Sequence, residues 1–113
     1  MVTLIATASY AAAVDALLDD EGRAEFEFDL ACRPEAHPVV PGTGGVRKAR
    51  WSRPGMGKRG GIRVVYYYPL GAQVILMVTA YTKNRKENLS DADKKAIRQT
   101  VEFFKASIRP SRP

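Results

Sequence analysis

Three segments in the middle of the chain have the composition of β-strands and lie close together in sequence. They are VRKARW (46–51), IRVVYYY (62–68) and AQVILMVTAY (72–81), and β-branched and aromatic residues dominate the last two. The connections SRPGMGKRGG (52–61) and PLG contain the glycines and prolines of hairpin turns. Because short connections join antiparallel neighbours, the pattern predicts a three-stranded antiparallel meander.

The segments on either side of the meander predict one more strand and two helices. VTLIA (2–6) is β-branched and apolar, and Tyr10, Val14, Leu17 and Leu18 then follow the spacing of a helix stripe. After the meander, Ser90 and Asp93 resemble a capping box that begins a final amphipathic helix. Its apolar stripe consists of Leu89, Ala92, Ala96, Ile97, Val101, Phe104 and Ile108.

The segment between these helix signals, residues 20–32, is ambiguous. Apolar residues alternate with polar ones in EFEFDLAC, which favours a strand. Asp19 or Asp20 can instead cap a helix, which would have to tolerate Gly22. That helix would group Ala24, Phe28, Ala31 and Cys32 on one side. The pattern alone supports strand and helix about equally.

The size of the chain limits it to one domain. With 113 residues and 45% apolar content, we expect one core within residues 1–108 and a frayed tail at 109–113. The expected fold is α+β, a sheet with helices on one face. There is no apolar run long enough for a transmembrane helix and no basic region typical of a secretory signal, so we expect a cytoplasmic protein without membrane contact.

The composition excludes several kinds of site. Cys32 is the only cysteine and His37 the only histidine, which excludes an internal disulfide, a cysteine cluster for zinc and a two-histidine acid–base pair. The glycine-rich segments PGTGG and GMGKRGG fit neither the Walker nor the dinucleotide pattern, so no cofactor and no metal are expected. We expect Cys32 to be a small buried group and His37, in a proline-rich loop, to lie at the surface.

The charge is distributed very unevenly. Between Glu35 and Glu87 there are ten basic residues and no acidic one, whereas residues 1–35 hold eight acids and two bases. A segment this one-sided repels itself unless an anion lies nearby, and a nucleic-acid backbone is the commonest anion of that size. The tyrosines and the tryptophan between these bases indicate a surface that holds phosphates and bases.

Alternation along segment 62–68 separates its two faces. Ile62, Val64, Tyr66 and Tyr68 form the more apolar set and should face the helices, which leaves Arg63, Val65 and Tyr67 on the open face. A guanidinium held by a rigid strand presents its donors to a phosphate without first losing loop freedom. The alternative is an arginine that lies over the sheet or pairs with a carboxylate of the acidic N-terminal part.

Two further groups of residues extend this basic surface. Lys83, Arg85 and Lys86 follow the last strand, with Tyr81 on the same face as Lys83, and a lysine there can take part in proton transfer. The other group lies along the second strand and its hairpin: Arg50, Trp51, Arg53, Lys58 and Arg59. Trp51 either stacks on a base or belongs to the core.

The runs GTGGVRKARWSRPGMGKRGGIRVVYYY and YTKNRKENLSDADKKAIRQ closely resemble the RelE/HigB-like toxins of bacterial type II toxin–antitoxin modules, in particular the subgroup paired with helix-turn-helix antitoxins. The resemblance is most specific from Gly42 to Leu89. It implies the small RelE-like fold, in which two N-terminal helices pack on a twisted antiparallel sheet. It therefore favours the helix over residues 20–32.

The resemblance also implies a ribosome-dependent endoribonuclease that cuts mRNA without a metal, by attack of a ribose 2′-OH on the adjacent phosphate. Arg63 matches the arginine of the family strand G-x-R-[LV]-[VI]-Y, and Lys83 and Lys86 correspond to its strand-end cations. The basic positions of the family's second strand correspond loosely to Arg50 and Arg53. Together with the charge and aromatic pattern, this gives the RNA-binding candidates Arg50, Trp51, Arg53, Lys58, Arg59, Tyr67 and Arg85. Leu89 and Ser90 occupy the region where well-studied members carry a tyrosine, so this phenol is absent or has moved to Tyr67 or Tyr81.

Two other functions remain open for a chain of this kind. The related ParE-type toxins share the fold and inhibit DNA gyrase by binding, without RNA chemistry. A catalytically idle member would act only as an antitoxin partner or co-repressor. The dense cations around Arg63 favour the nuclease, and its expected partners are a helix-turn-helix antitoxin, the ribosome and mRNA.

Overall fold

The computed structural model describes residues 2–52, 61–69, 73–83 and 88–108 and confirms the α+β fold. In chain order its elements are β1 (Thr3–Ala6), α1 (Ala8–Leu17), α2 (Asp20–Cys32), β2 (Arg47–Trp51), β3 (Ile62–Tyr67), β4 (Val74–Thr82) and α3 (Asp91–Ile108). All three predicted meander strands are confirmed. The predicted hairpin 52–61, the turn PLG and the tail 109–113 fall largely or wholly outside the described residues.

The four strands form one sheet in the order β1-β4-β3-β2. The pairs β2–β3 and β3–β4 are antiparallel, as predicted, and β1 adds a parallel strand beside β4. The register between β3 and β4 shifts at Val65 and Tyr66. Thr7 stabilises β4 at this irregularity, because its hydroxyl donates to the Val78 carbonyl at 2.6 Å and also accepts from the Tyr10 amide at the start of α1.

Helices α1 and α2 cover one face of the sheet. Tyr10, Val14, Phe26 and Leu30 of the two helices pack with four strand residues, and all of them are buried: Val64, Tyr66, Ile75 and Met77. Helix α2 begins with Asp19, whose carboxylate accepts from the Gly22 amide at 2.7 Å. The helix predicted for residues 20–32 is therefore confirmed, and the strand alternative is wrong.

The expectation that Cys32 is a small buried group is wrong. The sequence grouped Ala24, Phe28, Ala31 and Cys32, but Phe28 is 71% exposed and Cys32 is also exposed. The side of α2 toward α1 also carries polar residues, Arg23 and Glu27. The Glu27 carboxylate accepts from the Tyr10 hydroxyl at 2.7 Å and from Arg23 Nε at 2.9 Å, so it is satisfied between α1 and α2.

Helix α3 packs on the other face of the sheet, so the expectation that the helices share one face is wrong. Its buried side chains Ile97, Val101 and Phe104 contact a second core that contains three strand residues: Val65, Leu76 and Val78. Because β3 and β4 carry apolar side chains on both faces, both faces require cover. The predicted capping box is confirmed, since Ser90 and Asp93 exchange bonds of 2.9 and 3.1 Å between side chain and backbone amide.

The loop from residue 33 to residue 46 is held on the sheet by side-chain bonds to its carbonyls. Arg47 Nη1 donates to the His37 carbonyl at 2.8 Å, and the Tyr66 hydroxyl donates to the Pro34 carbonyl at 2.8 Å. His37 is partly buried rather than at the surface, with its ring edge-on to Tyr66 at 6.1 Å. Burial lowers the pKa of His37, and the nearby Arg33 lowers it further.

No helix in the described ranges is both long enough and apolar enough to span a bilayer.

Candidate functional site

Two predicted site residues form one row across the sheet with Tyr81, one of the two alternatives for the missing family tyrosine. Arg50 of β2 is the direct partner of Arg63 of β3, and Arg63 is the direct partner of Tyr81 of β4. As the alternation predicted, Arg63 lies on the face opposite α1 and α2. Arg50 is exposed, whereas Arg63 and Tyr81 are partly buried. The row lies beside α3, which covers the part of this face around Val65 and Tyr67.

Neither arginine of this row forms an ion pair within the described part of the chain. The ion pairs found there involve Arg23, Arg33 and Lys105, and neither Arg50 nor Arg63. The alternative in which Arg63 pairs with an acidic residue from the N-terminal part therefore has no support among these pairs. Two guanidinium groups directly opposite each other on adjacent strands repel, and a bound anion would relieve that repulsion.

Two lysines extend the positive surface around the row. Lys48 is paired with Val65, and so lies on the same face as Arg50 and Arg63. Lys83 is exposed and immediately follows the end of β4 at Thr82. The other predicted cations fall outside the described residues: Arg53, Lys58, Arg59, Arg85 and Lys86.

The structure separates Trp51 from the arginine row. Trp51 follows Arg50 directly in β2, so it lies on the opposite face, where its ring packs edge-on against Phe26 at 5.2 Å between centroids. Of the two roles considered for this tryptophan, this contact supports the one in the core. A stacking platform shared with Arg50 and Arg63 would need both faces of the sheet at once.

Tyr67 lies on the face of Arg63, but its ring is engaged by α3. Phe104 packs edge-on against it at 6.2 Å, and Lys105 Nζ lies 5.6 Å from the ring centroid. Since both contacts come from α3, they attach that helix to the sheet. Tyr67 is thus a packing residue in this structure, whereas Tyr81 is the direct partner of Arg63 on β4.

The Tyr81 hydroxyl is the unusual polar group of the site. It is buried, and it has no hydrogen-bond partner among the described residues. Burial raises the pKa of Tyr81, Arg63 and Arg50 lower it, and Asp93 raises it. The phenol therefore stays protonated at neutral pH and can donate a proton or a hydrogen bond. Buried hydroxyls without a hydrogen-bond partner are uncommon. This indicates that a bound ligand or a local movement provides a hydrogen-bond partner for the Tyr81 hydroxyl.

A groove of about 360 Å³ lies next to this tyrosine, between β4, the start of α1 and α3. Asp93, which was expected from the sequence only as part of a helix cap, lines this groove together with Leu89 and Tyr81. Only the packing of α3 on β4 brings Asp93 to the arginine row. The residues that line the groove from the strand and from α1 include Thr7, Ser9 and Thr79.

Residues 42–109 match the family described as the RelE toxin of the RelE/RelB toxin–antitoxin system. The match spans well over half of the 113 residues and includes the whole meander and α3, with Arg50, Arg63 and Tyr81. A toxin of this family acts together with an antitoxin partner. The chain therefore belongs to the RelE toxin family and is a toxin of a toxin–antitoxin system.

Proposed function

We propose that this toxin is a ribosome-dependent mRNA endonuclease, which inhibits translation by cutting mRNA in the ribosomal A site. The observation that carries the proposal is the direct pairing of Arg50 with Arg63 in a row that ends at Tyr81. Two guanidinium groups that form no ion pair with another described residue, beside a buried phenol, are suited to an anion with several oxygens. A phosphate of an RNA backbone is such an anion.

In the proposed reaction, a ribose 2′-oxygen attacks the adjacent phosphorus. The new O–P bond closes a 2′,3′-cyclic phosphate, and the bond to the 5′-oxygen of the next nucleotide breaks. The proton lost by the 2′-hydroxyl is balanced by a proton gained by the leaving 5′-oxygen. Cationic side chains aimed at the phosphate stabilise the extra negative charge of the transition state.

The roles follow from the positions in the row. Arg63, fixed in the middle of a strand, neutralises the scissile phosphate, and the protonated phenol of Tyr81 donates to one of its oxygens or to the leaving group. Lys83 at the strand end serves in proton transfer or charge stabilisation, and Lys86 is proposed for the same role on the resemblance alone. Tyr81 thus replaces the tyrosine that is missing at Leu89 and Ser90.

Binding of the RNA backbone is proposed for the exposed Arg50 and, from the sequence, for the cations outside the described ranges: Arg53, Lys58, Arg59 and Arg85. Trp51 and Tyr67 are weaker candidates, because Phe26 and Phe104 already contact their rings. The proposal places the toxin in the cytoplasm, where it meets ribosomes and mRNA. It also includes a helix-turn-helix antitoxin as the partner encoded beside it.

The test is to map RNA ends after incubation of the purified toxin with mRNA, in the presence and absence of translating ribosomes. New 3′ ends within the coding sequence are expected only during translation, and the Arg63→Ala variant should produce none. Intact mRNA together with loss of supercoiling activity of purified DNA gyrase would overturn the proposal and support the ParE-like alternative. Intact mRNA with active gyrase would support a catalytically idle antitoxin partner.

A further inference from the structure

Helix α2 has a second apolar side, which faces solvent. Phe28 lies at the centre of this side, and Ala24 and Cys32 are one turn before and one turn after it. Phe28 is 71% exposed, and both neighbours are exposed as well. The opposite side of the helix, with Phe26 and Leu30, already fills the core. An α-helix that is apolar on two sides is suited to two contacts, and the described residues of this chain supply only one.

Acidic residues surround this exposed apolar side. Helix α2 contains five acids and one base, Arg23. Two of the acids are engaged by arginines, since Glu27 pairs with Arg23 at 2.9 Å and Asp29 pairs with Arg33 at 2.9 Å. The three acids on the outward side are exposed: Asp20, Glu21 and Glu25. The outward face of α2, defined by Ala24, Phe28, Cys32, Glu21 and Glu25, thus combines an aromatic anchor with negative charge.

We propose that the outward face of α2 is the docking surface for a basic, amphipathic segment of the antitoxin. An apolar side chain of that segment would cover Phe28, and lysine or arginine residues beside it would pair with Glu21 and Glu25. A buried aromatic anchor with charged groups at its rim is the usual composition of an interface centre. The proposal rests on membership of a toxin–antitoxin family, and does not require the toxin to cut RNA.

This location has a geometric consequence for inhibition. Helices α1 and α2 cover one face of the sheet, whereas Arg50, Arg63 and Tyr81 lie on the other. An antitoxin bound to the outward face of α2 therefore leaves the arginine row uncovered. If the proposed function holds, the antitoxin blocks the toxin by its bulk, which keeps the complex out of the ribosomal A site.

The first experiment compares two exposed phenylalanines. Phe28→Ser and Phe103→Ser remove side chains that are 71% and 78% exposed, on α2 and α3 respectively, so both variants should fold. We expect Phe28→Ser to weaken binding of the purified antitoxin by at least about tenfold in calorimetry, since it loses a buried aromatic contact. Phe103→Ser should bind like the wild type. Equal affinity of the two variants would overturn the proposal.

The second experiment uses Cys32, the only cysteine of the chain and an exposed one. A maleimide reagent should label Cys32 rapidly in the free toxin and slowly in the complex. A Cys32→Ser/Phe103→Cys variant is the control, and its thiol should react at the same rate in both states. Unchanged labelling of Cys32 in the complex contradicts docking at this face. Slow labelling in a free toxin that is dimeric by light scattering would instead make a second copy the occupant.

The third measurement separates this proposal from the proposed function. Phe28→Ser should be as toxic as the wild type when expressed alone. When the antitoxin is co-expressed, the wild type should be neutralised and Phe28→Ser should stay toxic. Hydrogen exchange should show antitoxin protection in α1 and α2 and none over β3, residues 62–67. Protection of β3 would place the antitoxin on the arginine row and overturn the proposal, whether or not the toxin is a nuclease.

Discussion

Arg50 of β2 lies directly opposite Arg63 of β3, and strands β2, β3 and β4 contain no acidic residue that could pair with either arginine. Like charges that face each other across an antiparallel pair destabilise it by roughly 0.2–1 kcal/mol. The protein therefore tolerates an unfavourable contact at this position. Under the proposed function, a bound phosphate would turn this repulsion into two favourable contacts.

Replacement of Arg63 tests the centre of the site. Arg63→Ala should abolish growth inhibition and leave the free energy of unfolding unchanged or slightly raised, because it removes one member of the repulsive pair. Growth curves at equal expression and a urea unfolding curve measure the two effects. Arg33→Ala is the matched control, since Arg33 is an exposed arginine at the end of α2, and this variant should stay toxic. A fully toxic Arg63→Ala protein would contradict the site.

A charge reversal at Arg50 should separate stability from activity. Arg50→Glu places a carboxylate opposite Arg63, and the cross-strand ion pair should raise the free energy of unfolding by roughly 0.2–1 kcal/mol. The same carboxylate competes with RNA for Arg63 and should lower the cleavage rate. Thermal unfolding and a cleavage assay on ribosomes check the two outcomes. A variant that is both less stable and fully active would show that the guanidinium groups do not interact.

Two tyrosines on the same face should respond differently to loss of their hydroxyls. Tyr81→Phe removes a buried phenol beside Arg63, and we expect cleavage to slow by about 10²-fold, in the range for loss of a positioned donor or acid. Tyr67→Phe keeps the ring that packs on Phe104 and should cut at nearly the wild-type rate. Single-turnover rates compare the two. Equal rates for both variants would exclude Tyr81 from the chemistry.

The contact between α1 and α2 should contribute measurably to stability. The buried Tyr10 hydroxyl donates to Glu27, and hydrogen bonds to charged groups contribute roughly 1.5–3 kcal/mol, so Tyr10→Phe should lower the free energy of unfolding by an amount near the bottom of that range. Tyr68→Phe is the control, because Tyr68 is partly buried against the same core and its hydroxyl makes no hydrogen bond with another described residue. A smaller loss for Tyr10→Phe than for Tyr68→Phe would contradict this role.

The single histidine should make stability depend on pH in mildly acidic solution. Burial and the charge of Arg33 lower the pKa of His37 in the folded protein, so the unfolded chain binds the proton more readily. The stability that the neutral imidazole contributes is present above the unfolded pKa of about 6.5, and is lost as the pH falls through the lower folded pKa. Urea unfolding from pH 7.5 to pH 5 should therefore show a steeper decrease for the wild type than for His37→Gln. Parallel curves would contradict this assignment.

Much of the fold could be predicted from local patterns. The meander strands and the capping box at Ser90 depend on neighbours in sequence, and these predictions are confirmed. Segment 20–32 has apolar residues on two sides as a helix and on alternate positions as a strand, so periodicity alone could not decide between them. Resemblance to the toxin family did decide, but which side of α2 is buried depends on the packing of Phe26 and Leu30 against α1 and the sheet.

The site, like the fold, could be predicted only where it depends on residues that are neighbours in sequence. Alternation along β3 placed Arg63 on the correct face. The same alternation along β2 puts Arg50 and Trp51 on opposite faces, although both were expected on one basic and aromatic surface. The opposition of Arg50 and Arg63 requires the strand register, which the sequence of the 52–61 connection does not determine. The position of α3, and with it the role of Asp93 beside Tyr81, depends on contacts between residues distant in sequence.

Strand β2 is the edge of the sheet, and only part of this edge is covered. The Lys48 amide donates to the Pro38 carbonyl at 3.1 Å and Val39 bridges to Arg47, but beyond Lys48 no other described strand pairs with it on that side. An open edge can pair with another chain and start aggregation, and a charged side chain opposes this. Arg50 lies on the open part of this edge and opposes such pairing, in addition to the RNA-binding role proposed for it. Arg50→Ala should therefore precipitate at lower protein concentration than Arg50→Glu, even in samples that contain no RNA.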